Sequence, residues 1–99
     1  MIRVGRKHEQ NAVYVGRPSL LGNPFKMRNE GDRDLVCDRY DTWLSERLRQ
    51  GDPLITGAIN RLVTLARQGD LVLGCYCSPA RCHADSIKRV IEARLRSSK

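Results

Sequence analysis

Cys75, Cys77 and Cys82 fall within eight residues of a 99-residue chain, and His83 and Asp85 follow at once. The stretch Cys75-Tyr76-Cys77-Ser78-Pro79-Ala80-Arg81-Cys82-His83-Ala84-Asp85 gathers thiols, an imidazole, a guanidinium and a carboxylate. Three chemistries suit these types. A thiol becomes nucleophilic when a helix N-terminus or a cation lowers its pKa. Cys77 or Cys82 beside Arg81 meets that condition, with His83 as acid or base and Asp85 to orient the imidazole or cap the helix. An anion suits the same place, because a helix opening at Ser78-Pro79 or at Cys82-His83 presents N–H groups next to Arg81. A phosphate or carboxylate held there is the most economical of the three readings. A metal is the third. Cys75, Cys77, Cys82 and His83 are the donors of a tetrahedral zinc site, although C-x-C-x4-C-H is tighter than the paired C-x2-4-C knuckles of structural zinc. Against all three stands a plain capped helix start, with Cys75 a small apolar thiol ending a buried strand.

A second segment offers binding groups without nucleophiles. Gly16-Arg17-Pro18-Ser19-Leu20-Leu21-Gly22-Asn23-Pro24-Phe25-Lys26 has two Gly and two Pro that break any period, so it is a loop, and a long one for a compact domain. Gly22 can take a backbone conformation closed to other residues, while Pro18 and Pro24 stiffen the path. Arg17, Asn23 and Lys26 offer donors to an oxyanion or a base edge. The candidate ligand-binding set is therefore Gly16, Arg17, Ser19, Asn23, Phe25, Lys26, Cys77 and Arg81, and the candidate catalytic set is His83, Cys82 and Asp85. An ordinary rigid turn is the plain alternative. GxGxxG, GxxxxGK[ST] and HExxH are all missing, so dinucleotide, P-loop and zincin readings lack their motifs.

These loops need elements to position them. Residues 2–5 and 12–15 are short β-branched runs that read as strands. From Asp32, a candidate N-cap, Val36, Tyr40, Trp43, Leu44 and Leu48 recur at helical steps up to Gly51. Tyr40, Trp43 and Cys37 read as packing residues rather than site residues. Asp52-Pro53 opens a second helix, striped by Ile55, Ala58, Ile59, Leu62, Leu65 and Ala66, that stops at Gly69. Leu71-Val72-Leu73 is apolar on both faces, the mark of a central parallel strand. Ile87, Val90, Ile91 and Leu95 stripe a third helix before a Ser-Ser-Lys tail. The order β-β-α-α-β-α predicts a small Rossmann-like α/β domain over residues 1–99. Its second and third strands are parallel, its first strand is an edge, and both loops meet at the carboxyl ends of the strands.

Composition bounds the rest. With one Trp and one Phe, the core must come from eleven Leu, seven Val and five Ile. One domain is expected, with a modest stability margin. No apolar run approaches the ~20 residues of a membrane span, and Met1–Arg6 contains no signal-peptide core, so a cytoplasmic protein is expected. Eighteen Lys and Arg, fourteen of them Arg, against eleven Asp and Glu give a net charge of +7. That charge suits an anionic partner, nucleic acid included, although charge alone speaks equally to solubility. The edge strand at 2–5 leaves room for a homodimer without requiring one.

Val13-Tyr14-Val15-Gly16-Arg17-Pro18-Ser19, then Gly22-Asn23-Pro24-Phe25, then Leu73-Gly74-Cys75-Tyr76-Cys77-Ser78-Pro79 with Cys82-His83-Ala84-Asp85, make a paired signature over residues 13–92. It resembles that of a small phage and bacterial family known as domain of unknown function 4326. The resemblance implies the fold and the choice of site without supplying a reaction. Many members carry an aromatic where this chain has Leu21, which raises the question of ligand stacking there. The expectation is a crevice between loops 16–30 and 75–85 that binds a nucleotide, nucleoside or other phosphate-bearing ligand. If it is an enzyme, group transfer or hydrolysis is the class. The alternatives are a zinc-stabilised module and a basic nucleic-acid-binding accessory protein.

Overall fold

The computed structural model describes residues 2–17, 19–76 and 80–97. Cys77, named above as a ligand-binding and metal-binding residue, lies outside them, as does the Ser78-Pro79 step. The elements run β1 (Ile2–Arg6), β2 (Ala12–Tyr14), α1 (Arg33–Arg49), α2 (Pro53–Gln68), β3 (Leu71–Cys75) and α3 (Ala84–Ser97), the predicted β-β-α-α-β-α order. The sheet order is β1-β3-β2, and both edge strands run parallel to β3. Leu73 at its centre is fully buried and pairs with Val4 on one side and Val13 on the other.

Two parallel strands on opposite sides of a third usually need a long crossover. Here residues 7–11 suffice, because the chain turns tightly and passes over β3 at Gly74. Glu9 accepts from the Arg6 amide through its side chain and from the Ala12 amide through its carbonyl, and Asn11 takes a left-handed φ of 64°. A Cβ on Gly74 would stand 3.2 Å from the Ala12 Cβ and 3.4 Å from the Lys7 Cα. The glycine is there for that close approach.

The helix signals hold with two adjustments. Asp52 Oδ1 accepts from the Leu54 and Ile55 amides at 3.0 and 3.2 Å, and Pro53 occupies the first turn of α2, where its missing N–H is harmless. Asp32, expected to cap α1, makes no cap bond. Its carboxylate takes the Arg28 amide and guanidinium instead, which holds it below the usual carboxylate range. A 3-10 turn over Glu30–Asp32, capped by Asn29 Oδ1 on the Gly31 amide, leads into α1 in its place. At the other end of the chain α3 continues through Ser97, whose hydroxyl bonds back to the Ala93 carbonyl, so Ser97 belongs to the helix rather than to a tail.

α3 packs on β1 and β3, α2 on β3 and α3, and α1 on α2 and α3. Ile55, Ile59, Leu62, Leu71, Leu73, Ile87 and Ile91 form the aliphatic core, with Tyr40 and Leu44 contributed by α1. Among the described residues, no helix is long and apolar enough to cross a membrane.

Candidate functional site

β2 and β3 end side by side, and the segments that follow them form the two walls of one crevice of about 530 Å³. Its lining includes Gly16, Arg17, Asn23, Phe25 and Lys26 from the first loop and Cys75, Tyr76, Arg81, Cys82 and His83 from the second. The volume falls in the range of small-molecule sites. Of the candidate ligand-binding residues, Ser19 does not line it. Its amide bonds to the Gly16 carbonyl at 2.9 Å, and its buried hydroxyl has no hydrogen-bond partner among the described residues.

The first wall is a chain of turns. After Ser19→Gly16, the Gly22 amide donates to the Ser19 carbonyl at 2.9 Å, and Asn23 Oδ1 accepts from the Phe25 amide at 2.8 Å. Gly22 does not have a positive φ. It is required because a Cβ would stand 2.9 Å from the Arg17 backbone. The Asn23 side chain is largely buried and works as a turn former through its oxygen, leaving its amide nitrogen as the donor group.

Tyr40 fastens this wall to α1. Its hydroxyl donates to the Leu21 carbonyl at 2.7 Å, and its ring meets His83 edge-on with centroids 5.0 Å apart. Burial, with Cys82 nearby, pushes the phenol above its ordinary range, so it stays a donor throughout physiological pH. Leu21 itself is a core residue, 4% exposed, so its side chain packs inward and does not face a ligand. Tyr40→Phe should cost about 1–3 kcal/mol by leaving a buried carbonyl unpaired, measured as a fall in the urea midpoint at unchanged m-value.

The second wall carries the sulfur and imidazole groups. Cys75, Cys82 and His83 are all buried at the crevice floor, and their ligand atoms lie within 4.8 Å of one another. His83 Nε2 is 2.7 Å from the Val15 carbonyl, which can only accept. The proton therefore sits on Nε2, and in the neutral ring Nδ1 keeps the lone pair. The Val15 amide in turn donates to the Gly74 carbonyl at 3.1 Å, so the imidazole is oriented by an extension of the sheet. Cys82 Sγ accepts from the Ala84 amide at 3.3 Å, and Asp85 Oδ2 accepts from the Cys82 amide at 3.2 Å. Asp85 thus holds the Cys82 backbone.

Most described amides at the start of α3 are already occupied from within. The amides of Cys82, Ala84, Asp85, Ser86 and Ile87 are taken by Asp85 Oδ2, Cys82 Sγ, and the Cys82 and His83 carbonyls. Arg81 points to α1, where it bonds Asp34 Oδ1 at 3.0 Å and Asp38 Oδ1 at 2.7 Å, which raises its pKa further. Arg33 binds Glu30 and the Arg81 carbonyl. Arg17 and Lys26 are different: among the described residues neither side chain has a partner and no carboxylate lines the crevice.

Six lining residues lie outside the candidate sets: Tyr14, Met27, Arg33, Val36, Tyr76 and Cys37, the last read from the sequence as a packing residue. Tyr14 ends β2 and Tyr76 directly follows β3; the two rings meet edge-on at 5.9 Å and have the Lys7 ammonium 5.0 and 4.4 Å from their centroids. Lys7 also bonds the Tyr76 hydroxyl, which raises the ammonium pKa. Strand-end position was the available signal for both tyrosines, whereas nothing in the sequence singles out Arg33.

The fold and site together define a small parallel α/β module with a cationic, thiol-floored crevice at the carboxyl ends of its second and third strands. The chain belongs to the family described as Domain of unknown function (DUF4326), whose model matches residues 2–93, beginning eleven residues before the paired signature. No curated protein and no solved structure matches it significantly.

Proposed function

We propose that the crevice binds a small phosphate-bearing ligand of the nucleotide class. One observation carries this reading. Arg17 and Lys26 face a concave site with no carboxylate in its lining and no ion-pair partner of their own among the described residues. Two cations at the mouth of one crevice attract an anion with charge-assisted bonds, and the Asn23 amide adds a neutral donor. Tyr14, Phe25 and Tyr76 offer aromatic surface for the rest of the ligand. With the ligand seated, Cys82 as nucleophile or His83 Nδ1 as acid–base would serve group transfer or hydrolysis. The test is thermal unfolding of the chelator-treated protein with adenosine monophosphate and, separately, inorganic phosphate. Saturation to about 100 times Kd should stabilise by about 2.7 kcal/mol, a rise of several degrees in Tm. An unmoved Tm at millimolar concentrations of both would overturn the reading.

A second reading has its own support. Two thiols and an imidazole nitrogen within 4.8 Å make a soft donor set that suits zinc, and the Nε2–Val15 bond is the outer contact that metal-bound imidazoles usually make. Cys75, Cys82 and His83 would hold the ion, leaving its fourth position to Cys77 or to a crevice ligand. Native mass spectrometry decides. One zinc per chain, lost on chelation, supports the site, and a metal-free mass after zinc loading removes it.

A further inference from the structure

We infer that Cys75 and Cys82 form a redox-active dithiol, which a small-molecule disulfide converts to an intramolecular disulfide at the crevice floor. The two residues belong to separate parts of the fold, the carboxyl end of β3 and the segment before α3, yet their Sγ atoms stand 2.8 Å apart. A disulfide needs about 2.05 Å, so closure asks for less than ~1 Å of sulfur movement. Two thiolates on one tetrahedral zinc would instead be held roughly 3.8 Å apart. Loading a metal must therefore spread the pair, whereas oxidation continues the approach it already makes.

The partners have distinct roles. Cys82 Sγ accepts from the Ala84 amide, a contact that steadies charge developing on this sulfur, so Cys82 is the attacking sulfur. It attacks one sulfur of the reagent, the reagent's S–S bond breaks, and the departing thiolate takes up a proton. Cys75 then attacks Cys82 Sγ, displaces the second reagent thiolate and passes its own proton to it. Two protein thiols are oxidised and one small disulfide is reduced to two thiols. Both sulfurs line the crevice, but at 3% and 2% exposure they admit only small reagents. The inference stands independently of the ligand reading.

The chelator-treated native chain is incubated with 2-hydroxyethyl disulfide, followed by intact-mass measurement and peptide mapping. The expected product is lighter by two hydrogens, carries one bridge between Cys75 and Cys82, keeps the Cys37 thiol, and reverts with dithiothreitol. The Cys75→Ser variant, lacking the resolving thiol, should accumulate a 2-mercaptoethanol adduct on Cys82. Wild-type protein that keeps all its thiols, or bridges Cys37 or Cys77 instead, would overturn the inference. That mapping decides the matter even where Cys75→Ser does not fold.

Discussion

Replacing Arg17 and Lys26 together with alanine should weaken adenosine monophosphate binding about 100-fold while leaving the unfolding free energy nearly unchanged. Hydrogen bonds to charged groups contribute about 1.5–3 kcal/mol each. Both side chains are exposed at the crevice mouth, so the low end applies, and each single variant should lose about tenfold. Stability is spared because neither side chain has a partner among the described residues. Arg81→Ala makes the opposite kind of change. It releases Asp34 and Asp38 from the second wall, an exposed ion-pair arrangement of about 0–1 kcal/mol, and should alter affinity less than the double variant. Calorimetric titration of the four variants and the wild type at low salt, with urea unfolding in parallel, checks both halves. A double variant that binds like wild type would mean that these cations do not hold the ligand.

Leu73→Ala should be the most damaging apolar truncation, at about 2–5 kcal/mol. Leu73 is fully buried at the middle of the central strand, with neighbours on both edge strands and helices packed on the sheet, so the vacated space cannot collapse easily. In a domain whose total stability is about 5–15 kcal/mol, that loss brings the chain towards unfolding at ordinary temperature. Its effect should reach the site, since Cys75 lies two residues further along the same strand. Leu54→Ala, 63% exposed on the first turn of α2, should fall within about 0.5 kcal/mol. Urea midpoints of the two variants compare them directly, and equal costs would contradict the assignment of β3 as the centre of the core.

Much of this arrangement is legible in the sequence, for physical reasons that differ between elements. α2 and α3 announce themselves because their apolar residues recur at helical spacing, and Asp52-Pro53 and Gly69 punctuate α2 at both ends. The both-face hydrophobicity of Leu71–Leu73 marks the central strand, and parallel pairing then brings the two loops to one side of the sheet. What escaped depends on contacts between distant residues. Asp32 looks like a cap, but Arg28 competes for its carboxylate more strongly than the helix amides do. Arg81 looks like an anion ligand, but Asp34 and Asp38 present themselves one turn apart on α1, so among the described residues the crevice cations left without an ion-pair partner are Arg17 and Lys26 of the other wall. The start of α3 looks like a cradle until Asp85 and the Cys82 sulfur fill it from within. Gly22 is readable as a special glycine, yet its reason is proximity to the Arg17 backbone rather than a left-handed conformation. The tyrosine–lysine group at the crevice rim combines residues 7, 14 and 76, and only the crossing over Gly74 brings them together.

The central claim is that the crevice between the two loops is a binding site for a phosphate-bearing ligand. Amide chemical-shift mapping of the isotopically labelled chain during titration with adenosine monophosphate tests it most directly. The shifts should cluster on Gly16, Arg17, Asn23, Lys26, Cys82 and His83 and saturate at one ligand per chain. Shifts confined to the arginines of α2 and α3, or no saturable shifts at all, would contradict the claim.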